Sequence, residues 1–162
     1  MLGSIAITLT IPTSAPPSAV WAALEAAPRW PQVLDDLAEA RIEPDGVLAA
    51  GAVMRVKAKP GTQAIDMIYD VVAAEKPRRL SIKAAAAGHF RSRAEYTIEP
   101  DGNGARVTFK ADAEPVRWLH KITTALARRW YTDRLNGAAA ARMRAMLTLA
   151  ERIAQERAAP PG

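Results

Sequence analysis

Cysteine is absent from the 162 residues, which excludes a disulfide framework and any thiolate nucleophile or ligand. Histidine is nearly absent: only His89 and His120 occur. A zinc site draws three or four ligands from His, Cys, Asp and Glu, and no such spacing exists here, so no metal is expected. No stretch approaches the roughly 18 uninterrupted apolar residues of a membrane span, although 49% of the residues are apolar. Met1-Leu2-Gly3-Ser4 lacks the basic start and apolar run of a secretory signal, and together with the missing cysteines this points to the cytoplasm. There is no Gly-x-Ser-x-Gly elbow, phosphate loop or dinucleotide fingerprint, so no cofactor is expected.

What is present suits one domain over residues 1–157 with a frayed tail at 158–162, large enough to bury a core without staples. The net charge of +5 is unevenly spread. Between Glu114 and Arg157 the basic residues Arg117, Lys121, Arg128, Arg129, Arg134, Arg142, Arg144, Arg152 and Arg157 outnumber Glu114, Asp133, Glu151 and Glu156. The rest of the chain is balanced, so any attraction to an anionic partner would come from the last quarter.

Ile5, Ile7, Leu9 and Ile11 alternate with polar or small residues, the period-two pattern of a half-buried strand, which Pro12 is expected to end. Ala15-Pro16-Pro17-Ser18 leads into a short helix with Val20, Trp21 and Leu24 on one face. Pro28 and Pro31 break the chain around Trp30, and Gln32 to Leu37 is read as one more helical turn. Six further strands are predicted at Ala38 to Glu43, Ala52 to Ala58, Ala64 to Ala74, Leu80 to Ala86, Phe90 to Glu99 and Ala105 to Asp112. Asp45-Gly46, Pro60-Gly61, Lys76-Pro77, Gly88 and Asp101-Gly102-Asn103-Gly104 supply the reversals. Connections this short make an antiparallel meander. After Pro115 the period changes to that of a long helix, or of a short one at Arg117 to His120 followed by a long one. Its apolar stripe is Leu135, Ala139, Met143, Met146, Leu147, Ala150 and Ile153, with arginines on the other side.

The expected fold class is therefore α+β: a curved seven-stranded antiparallel sheet wrapped around a long C-terminal helix, with two short helices after the first strand. Its inward set would include Met54, Val56, Met67, Tyr69, Val71, Leu80, Ile82, Phe90, Ala94, Tyr96, Val107 and Phe109. Polar inward groups are few: Ser92 and the two tyrosine hydroxyls from the sheet, with Asn136 and Asp133 added from the helix. Such an inventory fits a concave apolar binding site, and it fits a solid core equally; pattern alone leaves both open. The candidate ligand-binding residues are Met54, Met67, Tyr69, Phe90, Ser92, Tyr96, Phe109 and Asn136. Trp21 and Trp30 are read as packing the short helices against the sheet, with Trp30 near the entrance. Asp66 and Asp70 share a strand face about 13 Å apart, too far to act as a carboxylate pair, and lie opposite Met67 and Tyr69. His89 is read as a solvated strand-edge residue.

The first strand followed by Ala15-Pro16-Pro17-Ser18-Ala19-Val20-Trp21-Ala22-Ala23-Leu24, then Pro28-Arg29-Trp30-Pro31, Val71 through Lys76-Pro77-Arg78-Arg79-Leu80, Tyr96-Thr97-Ile98-Glu99-Pro100 and the long last helix together resemble the START-like, helix-grip superfamily. That SRPBCC-type group includes polyketide cyclases and dehydrases, lipid-transfer proteins and the pollen-allergen type. The resemblance implies a ligand cavity and no particular ligand. No catalytic motif of the superfamily matches residue by residue.

Three readings follow. The first is binding of a hydrophobic or amphipathic small molecule, such as a lipid, quinone or polyketide-like compound. The second is a cofactor-free cyclase or dehydratase in which Tyr69, Tyr96 and Ser92 hold carbonyls in a reactive conformer. The third is a lipid carrier docking on an anionic membrane through the basic helix, with Trp118, Trp130 and Tyr131 near its start. Binding is favoured over catalysis. Nucleic acid is a weaker partner class, since no recognised module accompanies the charge. The sequence specifies no oligomeric state.

Overall fold

The computed structural model describes residues 4–86, 90–115 and 127–160. Its seven strands are β1 (Ile5–Thr13), β2 (Leu37–Glu43), β3 (Val53–Ala58), β4 (Met67–Glu75), β5 (Arg79–Ala86), β6 (Phe90–Asp101) and β7 (Gly104–Pro115). They form one antiparallel sheet in the order β1-β7-β6-β5-β4-β3-β2. Helix α1 (Pro17–Glu25) and a 3-10 helix (Ala27–Gln32) follow β1, and the long helix α2 (Arg128–Ala158) follows β7. The expected α+β architecture is present. Residues 116–126, with the short helix expected at Arg117 to His120 and with Trp118, lie outside the described residues, as does His89.

Two expectations about proline are corrected. β1 continues through Pro12, which faces Arg106 across the ladder. β1 is an edge strand, where a missing N–H breaks no second ladder. The second helical turn spans Ala27–Gln32 instead of Gln32 to Leu37, with Pro28 and Pro31 inside it. Pro28, in the first turn, forfeits only an N–H that has no helical partner, whereas Pro31 lies inside and costs the short helix one bond. The strand expected from Ala64 begins at Met67. Asp66 therefore lies before it and accepts a 2.9 Å bond from the Ala58 N–H, while Asp70 is exposed.

Alternation within the strands carries through to the packing. Reading across the sheet, Ile42, Met54, Tyr69, Ala84, Ser92, Ala113 and Ile5 form one continuous rung of register partners. Val71, Ile82, Ala94, Ala111 and Ile7 form the next, and Leu80, Tyr96, Phe109 and Leu9 a third. The register shifts at Leu37/Glu39 and Val71/Ala73 bend the sheet there. Its concave face holds these rungs, and its outer face carries pairs such as Arg79 with Glu95.

The C-terminal part of α2 packs on α1 and β1. Leu149, Ala150, Leu147 and Ile153 are buried there with the indole of Trp21. Thr13 Oγ1 donates to Glu151 Oε1 at 2.9 Å, and Arg29 forks onto Glu156 at 3.0 and 2.8 Å, pinning that half of the helix to β1 and to the 3-10 helix. The anticipated stripe holds except at Leu135, which is 36% exposed. It sits two turns ahead of Met143, beyond the buried part of the stripe. The helix ends at Ala159, whose extended backbone (φ −64, ψ 134) is what the following Pro160 favours.

Candidate functional site

The middle rungs explain where space is left. On β5, β6 and β7 the inward positions Ala84, Ala94 and Ala111 are small, whereas Tyr69, Tyr96, Phe109 and Met54 around them are large. Small residues at the centre of a curved face cannot reach the helix above them. A cavity of about 250 Å³ results, roofed by Ala139, Arg142, Met143 and Met146 of α2 and walled by Leu24, Trp30, Leu34 and Leu37 from the segments after β1. Trp30 is held in place by its indole N–H, which donates to the Ala23 carbonyl at 2.9 Å. It therefore both packs the short helices and lines the cavity.

Of the candidate residues, Met54, Tyr69, Ser92, Tyr96 and Phe109 line this cavity. Met67 packs against the core but lies outside the lining, although its rung partner Val56 is part of it. Asn136 also lies outside it, one helical turn before Ala139; it is half-buried, and its side-chain oxygen has no hydrogen-bond partner. The side chain of Phe90 lies outside the described residues. Asp133, read as inward from the helix, is exposed.

The residue that sequence reasoning missed is Arg142. It was grouped with the arginines of a solvated face, yet it stands three residues after Ala139 and four before Met146, within the stripe that faces the sheet. Its guanidinium borders the cavity and reaches outward to Asp36, with Nη2 to Oδ2 at 2.5 Å. That bond ties α2 to the segment leading into β2. The signal was the helical spacing itself, overridden by the usual preference of arginine for water.

Apart from Arg142, which is bonded to Asp36, the polar side chains facing the cavity are hydroxyls. Among the described residues the hydroxyls of Tyr69, Tyr96 and Ser92 make no hydrogen bond, although each borders the cavity. Both phenols are shifted above their ordinary value of 10.0, chiefly because burial disfavours the phenolate; the Arg142 charge opposes the shift in each. Tyr69 adds to the shift of Tyr96. The three groups thus sense one another, and both phenols are neutral around pH 7. The Tyr96 ring also lies against Phe109, centroids 4.9 Å apart and tilted by 48°. No carboxylate or imidazole lies among the described lining residues.

Two other surface features contrast with this site. A shallow depression of about 520 Å³ lies on the outer sheet face among Val72, Lys83, Arg93, Glu95, Lys110 and Asp112, where charges of both signs alternate in open contact with water. At the start of α2, Trp130 is 58% exposed with the Arg134 guanidinium 5.4 Å from its ring centroid. Among the described residues no helix is long and apolar enough to cross a membrane.

The fold is shared with proteins of distant sequence. Ara h 8.0201 superposes with a TM-score of 0.70 at 12% identity, covering 93% of this chain and 99% of that one. Norcoclaurine synthase from Thalictrum flavum, in complex with dopamine and hydroxybenzaldehyde, gives 0.65 at 13% identity over 92% of this chain and 87% of that one. The di-domain ARO/CYC StfQ from the steffimycin biosynthetic pathway gives 0.71 at 17% identity over 96% of this chain, which spans 52% of StfQ. No curated protein matches in sequence. The family model described as "Polyketide cyclase / dehydrase and lipid transport" matches residues 4–147. With the helix-grip arrangement of sheet and helix already evident, this chain belongs to that polyketide cyclase / dehydrase and lipid transport family.

Proposed function

We propose that this protein binds a small hydrophobic or amphipathic molecule between the concave sheet face and α2. The observation that carries the reading is the apolar cavity whose three hydroxyls have no hydrogen-bond partner among the described residues, the pattern of a site awaiting a ligand's own polar groups. A solid core would not leave three unbonded hydroxyls and a guanidinium facing open space; the buried side-chain atoms that lack a partner among the described residues, Trp21 Nε1 and Asn136 Oδ1, lie outside this lining. Family membership supports the same reading. So does a neighbour of the same fold that accommodates dopamine and hydroxybenzaldehyde.

Volume narrows the class. An apolar cavity of about 150 Å³ holds benzene, so about 250 Å³ suits a molecule of one or two fused rings. A long acyl chain or a multi-ring polyketide would project through the mouth. The cyclase reading requires a group that takes a proton, and the described lining offers donors without a base. Binding is the better account.

Filling the hollow tests this directly. Leucine at Ala94, on the floor of the cavity, would occupy the space meant for the ligand. Calorimetric titration with 2-naphthamide, a neutral two-ring probe, is expected to give binding to the native chain and at least tenfold weaker binding to Ala94→Leu, with the melting temperature preserved. No binding to the native chain, or equal binding to the variant, would refute the proposal.

A further inference from the structure

Charge at the cavity has one sign. Arg142 is the one ionised side chain among the described lining residues, and its counter-ion Asp36 stands outside the lining. A guanidinium carries five N–H donors, and Asp36 receives one bond, from Nη2. The neighbouring phenols of Tyr69 and Tyr96 and the hydroxyl of Ser92 have no partner among the described residues. The hydroxyls therefore border a space walled by apolar side chains, with the Arg142 guanidinium at its rim, where its side chain is 45% exposed. The remaining wall is suited to flat rings: the Tyr96–Phe109 pair, Trp30, and the thioethers of Met54, Met143 and Met146.

We propose that the ligand is an anionic aromatic compound of one or two rings, an aryl carboxylate or equivalent acidic oxygen group, whose charged end binds Arg142 with Tyr69 and Tyr96 while its rings fill the apolar floor. This rests on the cavity being a ligand site. Arg142 then serves two partners: Asp36 holds it at the mouth, and the ligand's oxygens take the donors that Asp36 leaves unused. The Asp36 carboxylate competes for the same guanidinium, so it tunes affinity downward. A lining of donors without carboxylates also selects against amines, which would meet the guanidinium with like charge.

The test compares two probes of the same shape, 2-naphthoate and 2-naphthamide, by calorimetric titration at neutral pH. The native chain is expected to bind the acid at least tenfold more tightly than the amide. Arg142→Gln is expected to abolish that preference by weakening the acid far more than the amide, and Asp36→Asn to tighten the acid several-fold. Tyr96→Phe should weaken the acid more than the amide. Equal affinity of the native chain for both probes overturns the anion assignment and leaves the cavity reading standing. A preference that survives Arg142→Gln overturns the role of that residue, and failure of both probes to bind overturns both readings. If Arg142→Gln does not fold, the sign of the Asp36→Asn effect decides: weaker or unchanged acid binding contradicts the proposal.

Discussion

Tyr69 and Tyr96 come from the first and third rungs of the inner sheet face, and the same burial that creates the site keeps their protons in place. In the folded chain both phenols are shifted above 10.0, so between that value and the folded pKa the native state holds protons that the unfolded chain releases. The stability tied to the neutral phenols is complete below about pH 10 and is lost as pH rises through the folded values. An alkaline titration followed by phenolate absorbance should show Tyr69 and Tyr96 ionising above the ordinary value. Tyr69→Phe and Tyr96→Phe should each remove one late step. Ionisation of both near the ordinary value, with the fold intact, would contradict this placement. Both tyrosines were legible in the sequence because each falls on the apolar phase of an alternating strand. Arg142 was not, because its residue type argued for water while its spacing argued for the sheet; long side chains satisfy both by burying their stems and keeping the charge at the rim.

Strands were easier to read than their ends and helical turns. Alternation at Ile5, Ile7 and Leu9 identifies β1, yet Pro12 does not end it, since edge position is a property of the whole sheet and invisible locally. Likewise the helical stripe on α2 is correct through Met143, Leu147 and Ile153, but Leu135 extends past the surface that covers it. Charged bonds between elements were also beyond sequence reasoning, because partners such as Arg29 and Glu156 are distant in the chain. The carboxyls of Glu156, Glu95 and Glu43 are held below their ordinary 4.5, first by hydrogen bonds from Arg29, Arg79 and Arg55 respectively, with further help from those charges. Lowered carboxyl values mean that their contribution is present above 4.5 and is lost as pH falls through the folded values. Because a third or more of each side chain meets water, each effect is modest. Thermal melts across the acid range should show the native chain losing stability below 4.5, and Glu156→Gln should show a shallower loss. An unchanged slope would mean that the Arg29–Glu156 strap does not hold α2 to the 3-10 helix in solution.

At the scale of the whole molecule, a sheet with alanines at its centre and large side chains around them closes against one long helix and leaves a hollow. The curl of the sheet was legible from seven short-linked strands and too few helices to cover a flat one. Its volume was not, since it depends on which small residues align across β5, β6 and β7, a matter of register. The methionines report on that hollow directly. Met54, Met143 and Met146 line it and Met67 lies outside. The most direct measurement is a methyl-methionine NMR titration with 2-naphthamide. If the hollow is the ligand site, the methyl signals of Met54, Met143 and Met146 shift together and saturably while that of Met67 stays in place. Unmoved signals from all three, or a response confined to Met67, would contradict it.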